Sequence, residues 1–187
     1  DGKIENISGA PAAAGMKTID VAGRTLVPGL SDAHTHISNF ATARRALESG
    51  VTTVRSSGAS LFVDVGLRDL VKAGGLPGPD VLASGYHVRE RLAEEAFISD
   101  PALSDLMGGV RTIADIRRVV RMNLARGVDW IKINATERAG TADTDPRKQM
   151  WNEAEIRAIV EGLVAEIGLP ADARVTIEVD ETTPLGR

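Results

Sequence analysis

The chain contains no cysteine. Disulfides, thiolate metal sites and cysteine nucleophiles are therefore excluded together, and a metal would fall to histidine, aspartate, glutamate or a modified lysine. Histidine is scarce too, with three in 187 residues, and aromatics make up only 3%. Acids and bases are dispersed along a chain of net charge -4, and no Lys/Arg cluster with interleaved aromatics occurs. A nucleic-acid partner is not expected. No apolar run approaches the ~20 residues of a membrane span. The opening "DGKIENISG" lacks the basic-then-apolar form of a signal peptide. These absences leave a cytoplasmic location without membrane contact as the expectation. The first residue is not Met, so a processed, trimmed or partial product is expected.

What is present is a globular composition, 43% apolar and 26% charged, with enough residues for a sizeable core. Residues 1–29 read as a small β segment. "TIDVAGRTLVP" alternates in polarity around Gly23, as a hairpin does, and Pro28-Gly29 marks its exit. From Leu30 the pattern becomes strand-then-helix, with strands expected near 31–37, 51–56, 81–86, 128–134 and 174–179. Between them, "ATARRALESG", "LFVDVGLRDLVKAGG", "TIADIRRVVRMNLARG" and "NEAEIRAIVEGLVAEIG" carry helical periodicity. Gly50 closes the first, Thr112 or Asp115 opens the third, and Asn152 with Glu155 forms a capping box for the last. Such alternation implies βαβ units and a parallel sheet. A closed eight-stranded β/α barrel takes about 250 residues, so the chain reads as a smaller open sheet or an incomplete barrel.

Two histidines, His34 and His36, stand one residue apart in "LVPGLSDAHTHISN". In an extended segment they point the same way, with Asp32 in register behind them. They form either a polar strand-to-loop junction or a pair of imidazoles converging on one divalent ion. In "VDWIKIN", Ile131 and Ile133 share one face while Trp130, Lys132 and Asn134 share the other. An unpaired ammonium in so apolar a strand is costly. Lys132 either snorkels to the strand's end or reacts as the neutral amine with carbon dioxide, giving an anionic carbamate that bridges metal ions. His87, after the third strand, and Tyr86 are candidates for substrate contact, as are Thr136 and Glu137 after the Lys132 strand. Arg89, Glu90 and Arg91 either orient a carboxylate or form a solvated loop. Asp143 and Asp145 read as a turn before Pro146, without calcium-loop spacing.

"TLVPGLSDAHTHI" is similar to the PGLID-x-H-x-H signature of the amidohydrolase superfamily, and the resemblance continues in order. "ALESGVTTVRSSG" looks like that family's second strand, "GPDVLASG" like its third and "GVDWIKINATE" like its fourth. "WNEAEIRAIVEGLVAE" is similar to the helix before the fifth, and the resemblance ends near Gly168. Within the family, the imidazolonepropionase-like branch with its prolidase-like dipeptidases fits best. The resemblance implies an α/β fold: the N-terminal portion of a (β/α)8 TIM-type barrel over 30–168, preceded by the β segment 1–29 and followed by a divergent tail, 169–187. It implies one or two divalent metal ions, zinc above all, held by His34, His36 and a carboxylated Lys132. It also implies hydrolysis of a C–N bond in a small amide or dipeptide by a metal-activated water. Two later histidines and a strand-8 aspartate of that family have no counterpart here; the tail "ARVTIEVDETTPLGR" offers only Glu178, Asp180 and Glu181. The alternative is a truncated, non-catalytic α/β domain that works by self-association, since open sheet edges call for a partner. A homo-oligomer is the expectation.

Overall fold

The computed structural model describes residues 4, 6–9, 11, 13–137 and 142–167. Three parallel strands form one sheet in the order β1–β2–β3: β1 is Leu30–Thr35, β2 Val51–Ser56 and β3 Asp80–Leu82. β1 leads through helix α1 (Phe40–Glu48) to β2, and β2 through α2 (Val63–Lys72) to β3, so the expected βαβ units are present. Leu30 pairs with Val51, Asp32 with Val54, and Val54 with Val81. Beneath the sheet Ile37, Ala43, Val54, Leu67 and Val81 form one small core. No helix among the described residues is long and apolar enough to cross a membrane.

Helix starts follow the sequence closely. The Asn39 side chain accepts from the Thr42 N–H at 2.9 Å and caps α1. α4 (Ile113–Ala125) opens on a Thr112–Asp115 box, and α5 (Glu153–Ile167) on Asn152 and Glu155, which exchange bonds of 2.8 and 3.0 Å. Each box satisfies backbone donors that a helix start leaves open. Gly50, at φ +92, follows α1, as expected of a left-handed terminator.

Two expectations change. The hairpin expected within 1–29 is reduced to its turn. Ala22 and Gly23 have positive φ and Arg24 N–H reaches Val21 O at 3.0 Å, but no strands pair on either side. Ile19, Leu26 and Val27 stand exposed there, and with no third layer to bury them a two-stranded ladder is marginal. The strand expected at 128–134 is not continuous. A single parallel bridge joins Val88 to Ile133, flanked by Val88 N–H to Lys132 O (2.8 Å) and Asn134 N–H to Val88 O (3.0 Å). At its start the Asp129 carboxylate takes the Ala83 N–H at 2.8 Å, a bond a regular ladder would give to a carbonyl. The segment still lies beside β3 where a fourth strand belongs. The expected strand at 174–179 and the tail acids lie outside the described residues.

Two elements fall where no helix was expected: the short α3 (Glu94–Ser99) and a 3-10 stretch, Pro101–Gly108. The latter buries Leu103 and Leu106 in the larger core, with Val88, Ile116, Val119, Trp151 and Ile159. That core lies between β3's extension, α4 and α5.

Candidate active site

The C-terminal ends of β1, β2 and β3 gather the chain's histidines. The turn after β3 sets the position of His87. The Asp64 carboxylate, fully buried at the start of α2, accepts the Ser84 and Gly85 N–H groups at 2.9 and 3.1 Å. From the other side the Asn123 amide grips both backbone groups of Tyr86 at 2.9 Å. Gly85 is required between them: its φ is +64, and a Cβ would lie 2.6 Å from Asn123 Oδ1. The Tyr86 hydroxyl accepts the Leu61 N–H at 2.7 Å and meets Ser99 Oγ at 3.0 Å. It thereby braces two successive left-handed residues, Leu61 and Phe62, a costly conformation for side chains of this size.

Val88 and Ile133 both face the core, so alternation sets His87, Arg89, Lys132 and Asn134 on the opposite side of their paired segments. There His87 stands 6.0 Å from His36, ring centre to ring centre, and His36 stands 5.7 Å from His34. The His36 ring donates through Nδ1 to the Gly58 carbonyl at 3.0 Å, which leaves Nε2 with its lone pair. The His87 ring donates to the neighbouring Ser57 carbonyl, and its Nδ1 is buried without a partner. Burial holds His87 well below the ordinary imidazole range, at about 4, and the positive charges of Arg89 and Lys132 act in the same direction. It is therefore neutral at pH 7. Gly58 makes room for it: a Cβ there would lie 1.8 Å from His87 Nε2.

A pocket of about 180 Å³ opens at this point, with His36, His87, Arg89, Ser60, Leu92 and Ala93 among its walls. Against the expected site, the arrangement is mixed. His34, His36, His87 and Lys132 come to one end of the sheet. Tyr86 lines the pocket, but its hydroxyl is engaged in bracing Leu61 and Ser99. Thr136 and Glu137 do not line it. Thr136 bridges to Gln149, and the Glu137 carboxylate holds the Lys148 ammonium and the Asp145 N–H, so both serve their own loop. Glu90 and Arg91 are exposed, and the Asp145 carboxylate pairs with Arg147. The serines and carbonyls at 56–58 carry no sequence signal of a site. Their role emerges only once β2 ends beside His36 and His87.

The donors fit a metal in part. His36, tied through one nitrogen to a carbonyl with the other free, has the arrangement of a metal-ligating histidine. Asp32 Oδ1 accepts the His34 N–H at 3.0 Å within β1, just before the two imidazoles. Among the described residues, however, no three His, Asp or Glu side chains converge around one point. His34 and His36 are neighbours, and Lys132 acts on His87.

No family model and no curated protein matches the chain. Solved structures do. An amidohydrolase is 25% identical with a TM-score of 0.66, over 86% of this chain and 46% of its own. A prolidase complexed with N-methylphosphonate-L-proline is 26% identical with a TM-score of 0.60, over 80% of this chain and 43% of its own. A putative prolidase from Bifidobacterium longum is 33% identical with a TM-score of 0.54, over 74% of this chain and 33% of its own. The chain thus spans less than half the length of these proteins. In fold and in sequence it is similar to the amidohydrolase superfamily, and within it to the prolidase-like members, over part of their length.

Proposed function

We propose that these residues form the N-terminal part of an active site that hydrolyses the C–N bond of a small amide, a dipeptide being one such substrate. The observation carrying this reading is the meeting of His34, His36 and His87 at the C-terminal ends of β1 and β3. In parallel β/α folds this is the end at which catalytic groups collect. His34, His36 and Lys132 would hold a divalent ion, zinc being one that suits imidazole, with Lys132 as a carbamate. Such an ion, when bound, supplies Lewis-acid polarisation of a carbonyl and a water of lowered pKa. The chain's own residues bind and orient. The Gly58 carbonyl fixes the His36 ring, and His87 stays uncharged beside it, so no imidazolium repels an incoming cation.

The test is metal analysis of purified protein together with release of free amine from a panel of N-acyl amino acids and dipeptides. One to two divalent ions per chain and measurable hydrolysis are expected. Metal-free protein that gains no activity from added zinc, manganese or cobalt would sink the proposal. A Lys132→Ala variant with undiminished metal content would remove the carbamate alone.

One observation favours a second reading, association. Five of the six β1 residues are exposed, although strands of parallel sheets are ordinarily covered on both faces. Sedimentation across a concentration series separates the two readings, because a monomer at all concentrations removes association as the chain's role.

A further inference from the structure

Two walls of the pocket are tied together at Ser99. One wall is the turn after β2, Ala59 and Ser60, which runs into the left-handed pair Leu61 and Phe62. The other is Leu92 and Ala93, which lead into α3. Between them the Tyr86 hydroxyl takes the Leu61 N–H at 2.7 Å and meets the hydroxyl of Ser99, the last residue of α3, at 3.0 Å. Arg126 repeats the span. It donates to the Ser99 carbonyl at 2.7 Å, while its guanidinium lies 5.3 Å from the centre of the Phe62 ring.

The segment 92–99 is otherwise lightly packed. Ala96 is its one fully buried residue, whereas α4 buries Ile116, Val119, Val120 and Met122. Ala93 gives α3 no side-chain cap, and Ile98 is 73% exposed. Both flanks are fixed: the Glu90 carbonyl accepts the Val110 N–H at 2.7 Å before the segment, and Leu103 is buried after it. A stretch with few buried apolar contacts between fixed ends opens at lower cost than the whole fold. At about 180 Å³ the pocket falls below the ~300–1,000 Å³ of sites that enclose whole drug-sized ligands. Taking in such a ligand requires a wall that moves.

We propose that residues 92–99 form a lid on this pocket, latched at Ser99 by Tyr86 and Arg126, and that release of the latch lifts α3 and opens the space beside His87. The lid acts on access alone, so it does not depend on the amide-hydrolase reading. Both latch bonds end on one residue, and that residue is half-buried rather than locked in the core. Opening therefore breaks two hydrogen bonds and uncovers little more than Ala96 and the half-buried Leu92 and Phe97.

Because the chain has no cysteine, one introduced thiol reports on one position. Ala96→Cys under the lid and Val119→Cys in α4 replace fully buried residues, and each full-length variant is reacted with dithiobis(nitrobenzoate). The Ala96→Cys thiol should be labelled about ten-fold faster than the Val119→Cys thiol. Adding Ser99→Ala or Arg126→Gln should speed the first about five-fold and leave the second unchanged. Modification of His87 by diethyl pyrocarbonate, read by peptide mass spectrometry, should rise by a similar factor in Ser99→Ala. Amide exchange in the wild-type chain, which needs no thiol, should show residues 92–99 opening faster than α4. Circular dichroism confirms that the variants fold. Equal labelling of the two thiols, or equal amide protection of the two segments, overturns the lid. An Ala96→Cys rate indifferent to both latch variants overturns the latch, and unchanged His87 modification overturns its control of the pocket.

Discussion

His87 should make the stability of the metal-free fold fall steeply in mildly acidic solution. Its folded value of about 4 lies below the ordinary 6.5, chiefly because the ring is buried. The unfolded chain takes up a proton near 6.5, and the folded chain resists until about 4. The stabilisation from keeping this ring neutral is therefore complete above pH 6.5 and is lost as the pH falls through that interval. A gap of about 2.5 pH units corresponds to about 3 kcal/mol at the lower limit and about 2 kcal/mol at pH 5. Urea unfolding, followed by fluorescence of Trp130 and Trp151 in chelator-treated buffer, measures it between pH 7 and 4.5. His87→Gln removes the titrating group while keeping a polar side chain. The wild type should lose about 2 kcal/mol more than this variant between pH 7 and 5. Parallel profiles for the two proteins would refute the burial argument.

Gly58→Ala forces a Cβ onto the His87 ring at a backbone φ of +127. It should cost about 1–3 kcal/mol in thermal or urea unfolding, and the His87 imidazole resonances should shift in NMR spectra. Tyr86→Phe leaves the Leu61 N–H without its acceptor. A loss of about 1–3 kcal/mol is expected, with faster amide exchange at Leu61 as its local signature. Arg68, 8% exposed, ties α2 to Asp129 at 2.8 Å and to the Gly127 carbonyl at 2.7 Å. Arg68→Met should cost about 2 kcal/mol in urea unfolding. That is less than the ~3–5 kcal/mol of a fully buried pair, because the Asp129 side chain keeps 27% of its surface.

The parts of the fold that follow local rules are legible in the sequence. β2 lies where its β-branched run predicts, and three helix starts coincide with side chains that cap them. β1 was legible through its motif rather than its polarity, since an exposed strand has no apolar alternation to read. The element around Lys132 was read as a strand because its composition is right. In the structure Asp129 and single backbone bonds replace a regular ladder, which is a matter of partner register. The Pro101–Gly108 stretch escaped notice because two leucines three apart are too few to mark a helix. His34, His36 and Lys132 stood out by residue type. The neighbours that orient His36 and His87 did not: Asp64, Asn123 and the carbonyls at 57–58 act across long sequence separations, and a carbonyl leaves no trace in a sequence. Arg89 differs from Glu90 and Arg91 through its place beside Val88, which faces the core, a distinction that composition does not carry.

His36 and His87 follow different strands, β1 and β3, yet both rings hang from one dipeptide, Ser57–Gly58. Their separation is tied to the spacing of two successive carbonyls and to the backbone angles at Ser57 and Gly58 that aim them. Pocket residues such as Leu92 or Ala93 can then be exchanged for larger or smaller ones while the two imidazoles keep their spacing. Rotation of the Ser57–Gly58 peptide would release His87, whereas rotation of the next, Gly58–Ala59, would release His36. A site built this way separates the choice of ligand from the alignment of its reactive groups.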